Sequence, residues 1–141
     1  MGIRKARLDD WQEIKALLDQ LDYPNTDTFI KEKIEKLLDH PDEELLVYVD
    51  KNKAVAFISL HFIPQIALKG DFARISYFAV DVSVRSHGIG REIEEYCVEL
   101  AKARGCDRIE VHCHSRRTAA HRFYIRQGFT ESPKYFMKRL D

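Results

Sequence analysis

Apolar residues recur at helical spacing over the first forty positions. Trp11, Ile14, Leu18 and Leu21 form one stripe, and Phe29, Ile30, Ile34, Leu37 and Leu38 form another. The first stripe predicts a helix that starts at Asp9, with Gln12 as its capping-box partner. The second predicts a helix over 27–38, set apart by Pro24 and Asn25 and stopped before Pro41. The pattern then turns strand-like. Residues 45–49 and 54–62 are rich in β-branched and aromatic side chains and flank Asp50-Lys51-Asn52-Lys53, a hairpin signal.

Residues 3–7 predict a short leading strand, 64–71 a loop and 73–82 a long strand. Ile93, Cys97, Leu100 and Ala101 share one face of a helix predicted over 90–104 and ended by Gly105. A strand over 108–114, a helix over 118–127 closed by Gly128, and a last strand over 134–140 complete the chain. The order is β-α-α-β-β-β-α-β-α-β, with a hairpin first and a strand–helix–strand crossover later. It predicts an α/β (α+β) fold, a mixed and largely antiparallel sheet flanked by helices. No repeat, low-complexity stretch or linker divides residues 1–141, so one domain is expected.

Composition narrows the functional classes. A chain of 141 residues, 45% hydrophobic and 33% charged, is long enough and apolar enough to bury a core. Lys plus Arg equals Asp plus Glu at 23 each, so net charge argues for no polyanionic partner. From Ala101 onward, however, ten basic residues face four acids. Such a part either attracts an anion or pairs with acids elsewhere. It carries no basic stripe interleaved with aromatics, so nucleic acid is not expected. No apolar run reaches the ~20 residues of a membrane span. With no signal-like start and no CxxC among Cys97, Cys106 and Cys113, a cytoplasmic protein is expected.

One segment carries more information than its neighbours. Val80-Asp81-Val82-Ser83-Val84-Arg85-Ser86-His87-Gly88-Ile89-Gly90 runs from a strand through a glycine turn into an amphipathic helix. Gly88 and Gly90 allow close backbone approach, and the free N–H groups and dipole of the helix start make an anion site suited to a diphosphate. Arg85 adds a charge-assisted donor. One crossover later stands Ala120-His121-Arg122-Phe123-Tyr124-Ile125-Arg126-Gln127-Gly128-Phe129.

The first segment resembles the Arg-x-x-Gly-x-Gly loop of the GNAT N-acetyltransferases, and the second their Ala-x-x-Phe-Tyr-x-x-x-Gly-Phe block. The resemblance extends over the whole chain in element order and implies an acetyl-CoA-dependent N-acetyltransferase. It implies that Phe78, Ala79 and Val80 pair with the pantetheine arm of acetyl-CoA between two splayed strands. Arg85, Ser86, His87, Gly88, Ile89, Gly90 and Arg91 would hold the diphosphate, and Tyr124 would protonate the departing thiolate. Arg117 stands where the family often has a pantetheine-contacting asparagine. This variant, with Ser132-Pro133-Lys134-Tyr135-Phe136 and Lys138, resembles the small-molecule branch that includes the aminoalkylphosphonate N-acetyltransferases.

The family often has a glutamate just before the apolar strand triplet, whereas this chain has Ser76 and Tyr77 there, and Arg74 earlier. A histidine (His61, His112 or His114) or a water chain is the expected base, and His61, Tyr77 and His112 are the candidate acceptor contacts. A metal at His112-Cys113-His114 is not expected, because strand alternation turns Cys113 away from both histidines. Acyl transfer through Cys97 or Cys113 is set aside because each falls on an apolar face. The expected acceptor is a small primary amine attacked in a ternary complex. A protein acceptor, a non-catalytic acyl-CoA-binding module and a homodimer stay open.

Overall fold

The computed structural model describes residues 2–132 and 135–140. Strand β1 (Gly2–Lys5) leads through a 3-10 turn, Leu8–Asp10, into α1 (Trp11–Gln20) and α2 (Ile30–Asp39). Strands β2 (Glu43–Asp50), β3 (Lys53–Ile63) and β4 (Asp71–Val80) follow, then α3 (Ile89–Ala103), β5 (Cys106–Val111) and α4 (Thr118–Arg126). The five strands lie in the order β1-β2-β3-β4-β5. The first three pairings are antiparallel, and β4 with β5 is parallel. A parallel neighbour requires a crossover, and α3 supplies it.

Alternation along the strands divides the core between the two faces of the sheet. Ile58, Leu60 and Ile75 pack with Ile93, Cys97 and Ala101 of α3 on one face. Leu45, Val47 and Phe57 meet Ile14 and Leu17 of α1 and Ile30 and Ile34 of α2 on the other. The β3–β4 register slips once. Ser59 faces Tyr77 while Leu60 faces Ile75, so Ser76 is an extra residue, a β-bulge. Beyond the bulge Phe78 packs toward the α3 face and Ala79 toward the α1–α2 face.

Three expectations need correction. The first helix is not capped by an Asp9–Gln12 box. It begins at Trp11, and the Asp10 carboxylate accepts the Arg7 amide at 2.8 Å and both Arg4 guanidinium donors at 2.9 Å. A buried aspartate beside a strand arginine makes the better-satisfied start. The second helix begins at Ile30 rather than Asp27, because residues 27–29 form a turn in which the Phe29 and Ile30 amides both donate to the Thr26 carbonyl, at 3.1 and 2.8 Å.

The expected strand over 134–140 is the third. Lys134 lies outside the described residues, and residues 135–140 form no strand. Tyr135, Phe136 and Met137 are consecutive, so any strand built from them would present large apolar side chains to both faces. The side chains of Phe136 and Leu140 are 93% and 95% exposed.

Candidate active site

The site begins where the parallel pairing stops. Strands β4 and β5 are in register only as far as Ile75 and Val111. β4 continues to Val80, still bonded on its other side, with Phe78 opposite Ile58, Ala79 opposite Phe57 and Val80 opposite Ala56. The β5-facing edge of Phe78, Ala79 and Val80 therefore has no strand partner and borders an open cleft. Ala79 is buried, so the edge is held rigidly from behind.

At the end of β4 the chain turns through Asp81, whose carboxylate accepts the Ser83 amide at 2.9 Å and the Ser83 hydroxyl at 2.6 Å. Arg85 folds back, its Nε donating to the Val80 carbonyl at 3.1 Å, which closes the turn on itself. Ser86 and Gly88 have φ of 71° and 82°, left-handed backbone that glycine adopts without cost and serine does not. Helix α3 starts at Ile89, and its first bond is from the Glu92 amide to the Gly88 carbonyl at 3.0 Å. The amides of Ile89, Gly90 and Arg91 are consequently without intrahelical acceptors and open toward the cleft. At Gly90 the reason for glycine is packing. A Cβ there would sit 3.3 Å from the Phe123 ring, which itself meets Phe78 edge-on at 5.9 Å.

The opposite wall is α4 with the segment before it. Arg117 is the N-cap residue of α4 and faces the cleft together with Thr118, Ala119 and Ala120. Tyr124 projects between Phe123 and Phe129, with ring centroids 5.2 Å from each. Burial pushes its phenol well above the usual tyrosine range, with Cys113 adding to the shift and Arg117 opposing it. Its hydroxyl has no hydrogen-bond partner among the described residues.

Tyr124 also lines a second, smaller cavity that adjoins the cleft, with Tyr23, Ser76, Tyr77, His112, Cys113 and Arg117. Tyr23 meets Tyr77 edge-on at 5.2 Å. Burial raises the Tyr77 phenol, and Tyr23 adds to it. The segment after α1 ties both walls together. Gln20 bonds to Asp81 at 3.1 Å and to the Val82 amide at 3.0 Å, while Asp22 pairs with Arg116 at 3.3 Å.

Most of the residues singled out in sequence thus converge. Phe78, Ala79, Val80, Arg85, Ser86, Gly88, Ile89, Gly90, Arg91, Arg117 and Tyr124 line the large cleft. Tyr77 and His112 line the small cavity. His87 is in the turn but exposed and not part of the lining. His61 lies apart, opposite Arg74 and 2.6 Å from Glu43 through Nδ1, and lines neither cavity. His114 spends Nδ1 on the Arg116 amide at 3.1 Å and its carbonyl on the His121 ring at 2.9 Å.

Sequence reasoning missed Leu21, Asp22, Tyr23 and Glu94. The first three sit past the end of an ordinary amphipathic helix, with only the exposed aromatic Tyr23 as a signal. Glu94 is buried on α3 at the cleft, where burial and then Glu95 raise its carboxyl. A glutamate on the apolar side of the α3 pattern was that clue.

Comparison with known proteins agrees with this geometry. The sequence model of the Acetyltransferase (GNAT) family matches residues 6–129. The aminoalkylphosphonate N-acetyltransferase of Salmonella typhimurium is 27% identical, over 98% of this chain and 90% of that protein. A GNAT family acetyltransferase of Staphylococcus aureus superposes with a TM-score of 0.82 at 22% identity, covering 99% of this chain and 100% of the other. A Bacillus halodurans protein described as a transcriptional regulator superposes at 0.89 with 22% identity and 98% coverage of both chains. At these identities the structural likeness speaks for the fold alone. The match to the family model over residues 6–129, nearly the whole chain, makes this protein a member of the GNAT acetyltransferase family.

Proposed function

We propose that this N-acetyltransferase moves an acetyl group from acetyl-CoA to the primary amine of a small molecule, by direct attack in a ternary complex. The observation that carries the reading is the unpaired edge of Phe78–Val80 leading straight into the free amides of α3, with Tyr124 on the facing wall. The backbone of Phe78, Ala79 and Val80 pairs with the pantetheine amides as a neighbouring strand would. The amides of Gly88, Ile89, Gly90 and Arg91 hold the diphosphate, with the helix dipole behind them. Arg85 is anchored through Nε and offers its remaining guanidinium N–H groups to phosphate.

Tyr124 donates its phenolic proton to the sulfur as the carbon–sulfur bond breaks. Burial keeps the phenol protonated at working pH, so the donor form is always present. The fit of acetyl-CoA rests on this chain's own groups: free donors where phosphate charge would lie, and a strand edge where amides would lie.

The second cavity holds only about 40 Å³, well below a ligand-sized pocket, so it admits no more than the reacting amine end of an acceptor. The 27% identical Salmonella relative, by its name, acts on aminoalkylphosphonates, which are small primary amines carrying an anion. Calorimetric titration with acetyl-CoA, followed by thiol-release assays on a panel of small amines, tests the proposal. Saturable binding and thiol release on at least one amine are expected. Binding without turnover on any small amine overturns the small-acceptor reading in favour of a protein acceptor. No binding at all removes the acetyl-CoA assignment.

A further inference from the structure

The acceptor amine must lose a proton during attack, and among the described residues no carboxylate lines the small cavity beside Tyr124. The titratable side chains around it are Tyr23 from the segment after α1, Tyr77 from β4, His112, Cys113 and Arg117 from the segment after β5, and Tyr124 from α4. Burial raises Tyr77, Cys113 and Tyr124 away from neutrality, in the case of Cys113 against the opposing pull of Arg117. Imidazole is the one side-chain type in the set that takes and returns a proton near pH 7. His61 and His114 are excluded by position, the first against Glu43 away from both cavities and the second engaged within its own loop.

His112 is also oriented. Its ring lies flat against Tyr135, with centroids 4.4 Å apart and planes 9° from parallel. Tyr135 belongs to residues 135–140, which are exposed and form no strand, so this stack is a specific contact in that stretch. A stacked ring keeps its edge, where both nitrogens lie, free to face the cavity.

We infer that His112 is the general base that takes the amine proton, and that Tyr135 is a positioning residue that fixes the plane of the His112 ring. The inference rests on the acetyltransferase reading above. The neutral amine attacks the thioester carbon and the carbon–nitrogen bond forms. One N–H proton passes to His112, the carbon–sulfur bond breaks with its electron pair on sulfur, and Tyr124 supplies the thiol proton. The proton on His112 then returns to the Tyr124 phenolate through the cavity. An amide and a free thiol result, with no net proton taken up.

The test is steady-state thiol release from pH 5.5 to 9 on an amine used by the wild-type protein, with calorimetric acetyl-CoA binding run beside it. The wild-type rate should fall toward the acid end of that range. H112Q should lose about 100-fold in kcat and the low-pH limb with it, while acetyl-CoA affinity stays within about two-fold. H112A should regain part of the rate when imidazole is added to the buffer. Y135A should lower kcat about five-fold and keep the low-pH limb, and Y135F, which retains the stack, should restore the rate. These losses are the order expected for removing and for misorienting a general base.

If H112Q turns over at the wild-type rate with an unchanged pH profile, the base assignment is overturned while the acetyltransferase reading stands. If Y135A is indistinguishable from wild type, the positioning role falls alone. A wild-type protein that binds acetyl-CoA yet transfers to no small amine overturns the small-acceptor reading and this inference with it.

Discussion

Replacing Tyr124 by phenylalanine separates chemistry from structure more cleanly than any other change at this site. The ring is wedged between Phe123 and Phe129, both at 5.2 Å, and phenylalanine keeps those contacts. The hydroxyl has no hydrogen-bond partner among the described residues, so its removal leaves no orphaned group behind. Stability should therefore change by less than about 0.5 kcal/mol, within the range of mutations that disturb no packing or pairing. Turnover is a different matter. A positioned general acid contributes about 10²- to 10⁴-fold, which at 1.36 kcal/mol per factor of ten is roughly 3–5 kcal/mol of barrier.

Thiol-release kinetics on Y124F, paired with calorimetric acetyl-CoA binding and a thermal melt, measures all three quantities. The expected result is a fall of at least about 100-fold in kcat, with binding and melting temperature essentially unchanged. Since burial raises the phenol of the wild-type enzyme, ionisation of Tyr124 should not limit activity anywhere below about pH 10. A variant that keeps a third or more of the wild-type kcat would refute the role of the hydroxyl. A large drop in melting temperature would show that the hydroxyl is structural instead.

Other perturbations have outcomes as definite. Asp10→Asn should cost about 2 kcal/mol in denaturant unfolding, because the carboxylate receives two Arg4 donors and the Arg7 amide in a buried position. Burial pulls the Asp10 carboxyl up, but the Arg4 bond and Arg7 amide together outweigh it and hold the group below its ordinary value. The unfolded chain thus takes the proton first. The stabilisation is complete above the unfolded pKa near 4 and drains away as pH falls through the folded one, a loss absent from D10N. Gly88→Ala places a side chain at φ 82° and should cost roughly 1 kcal/mol of stability and weaken acetyl-CoA binding, read by melting and calorimetry. Leu60→Ala, at a fully buried position of the sheet, should cost about 2–5 kcal/mol in urea unfolding with the acetyl-CoA site intact. Burial pushes the Cys97 thiol up to about 12, so a disulfide-exchange reagent should leave Cys97 unmodified until the protein unfolds.

The sheet was readable in the sequence because its elements carry clean periods. The α3 stripe of Ile93, Cys97 and Ala101 and the β-branched runs of β2 and β3 are buried where the pattern places them. The glycine turn and the Phe123-Tyr124 block were readable because each carries residue types that few other contexts require. What stayed hidden depends on contacts between distant segments. The extra residue at Ser76 leaves no trace in the run of apolar and aromatic residues around it, yet it decides which face Tyr77 joins. The bridge of Gln20 to Asp81 and Asp22 to Arg116 links positions about sixty and ninety apart, beyond any local period. The C-terminal strand was misread for the opposite reason. Its apolar content is strand-like, yet residues 135–140 are exposed and form no strand.

The early end of β4–β5 pairing has a thermodynamic side. Backbone donors and acceptors at Phe78, Ala79 and Val80 lie within the sheet rather than at its rim, so the protein alone is a sheet with an internal seam. A ligand that pairs along the seam binds the folded chain and has nothing to pair with in the unfolded one. At one hundred times its dissociation constant such a ligand adds about 2.7 kcal/mol to the stability of the fold. The melting temperature of this protein is then a readout of cofactor supply, and strand edges that invite aggregation in the empty state are covered when the cofactor is plentiful.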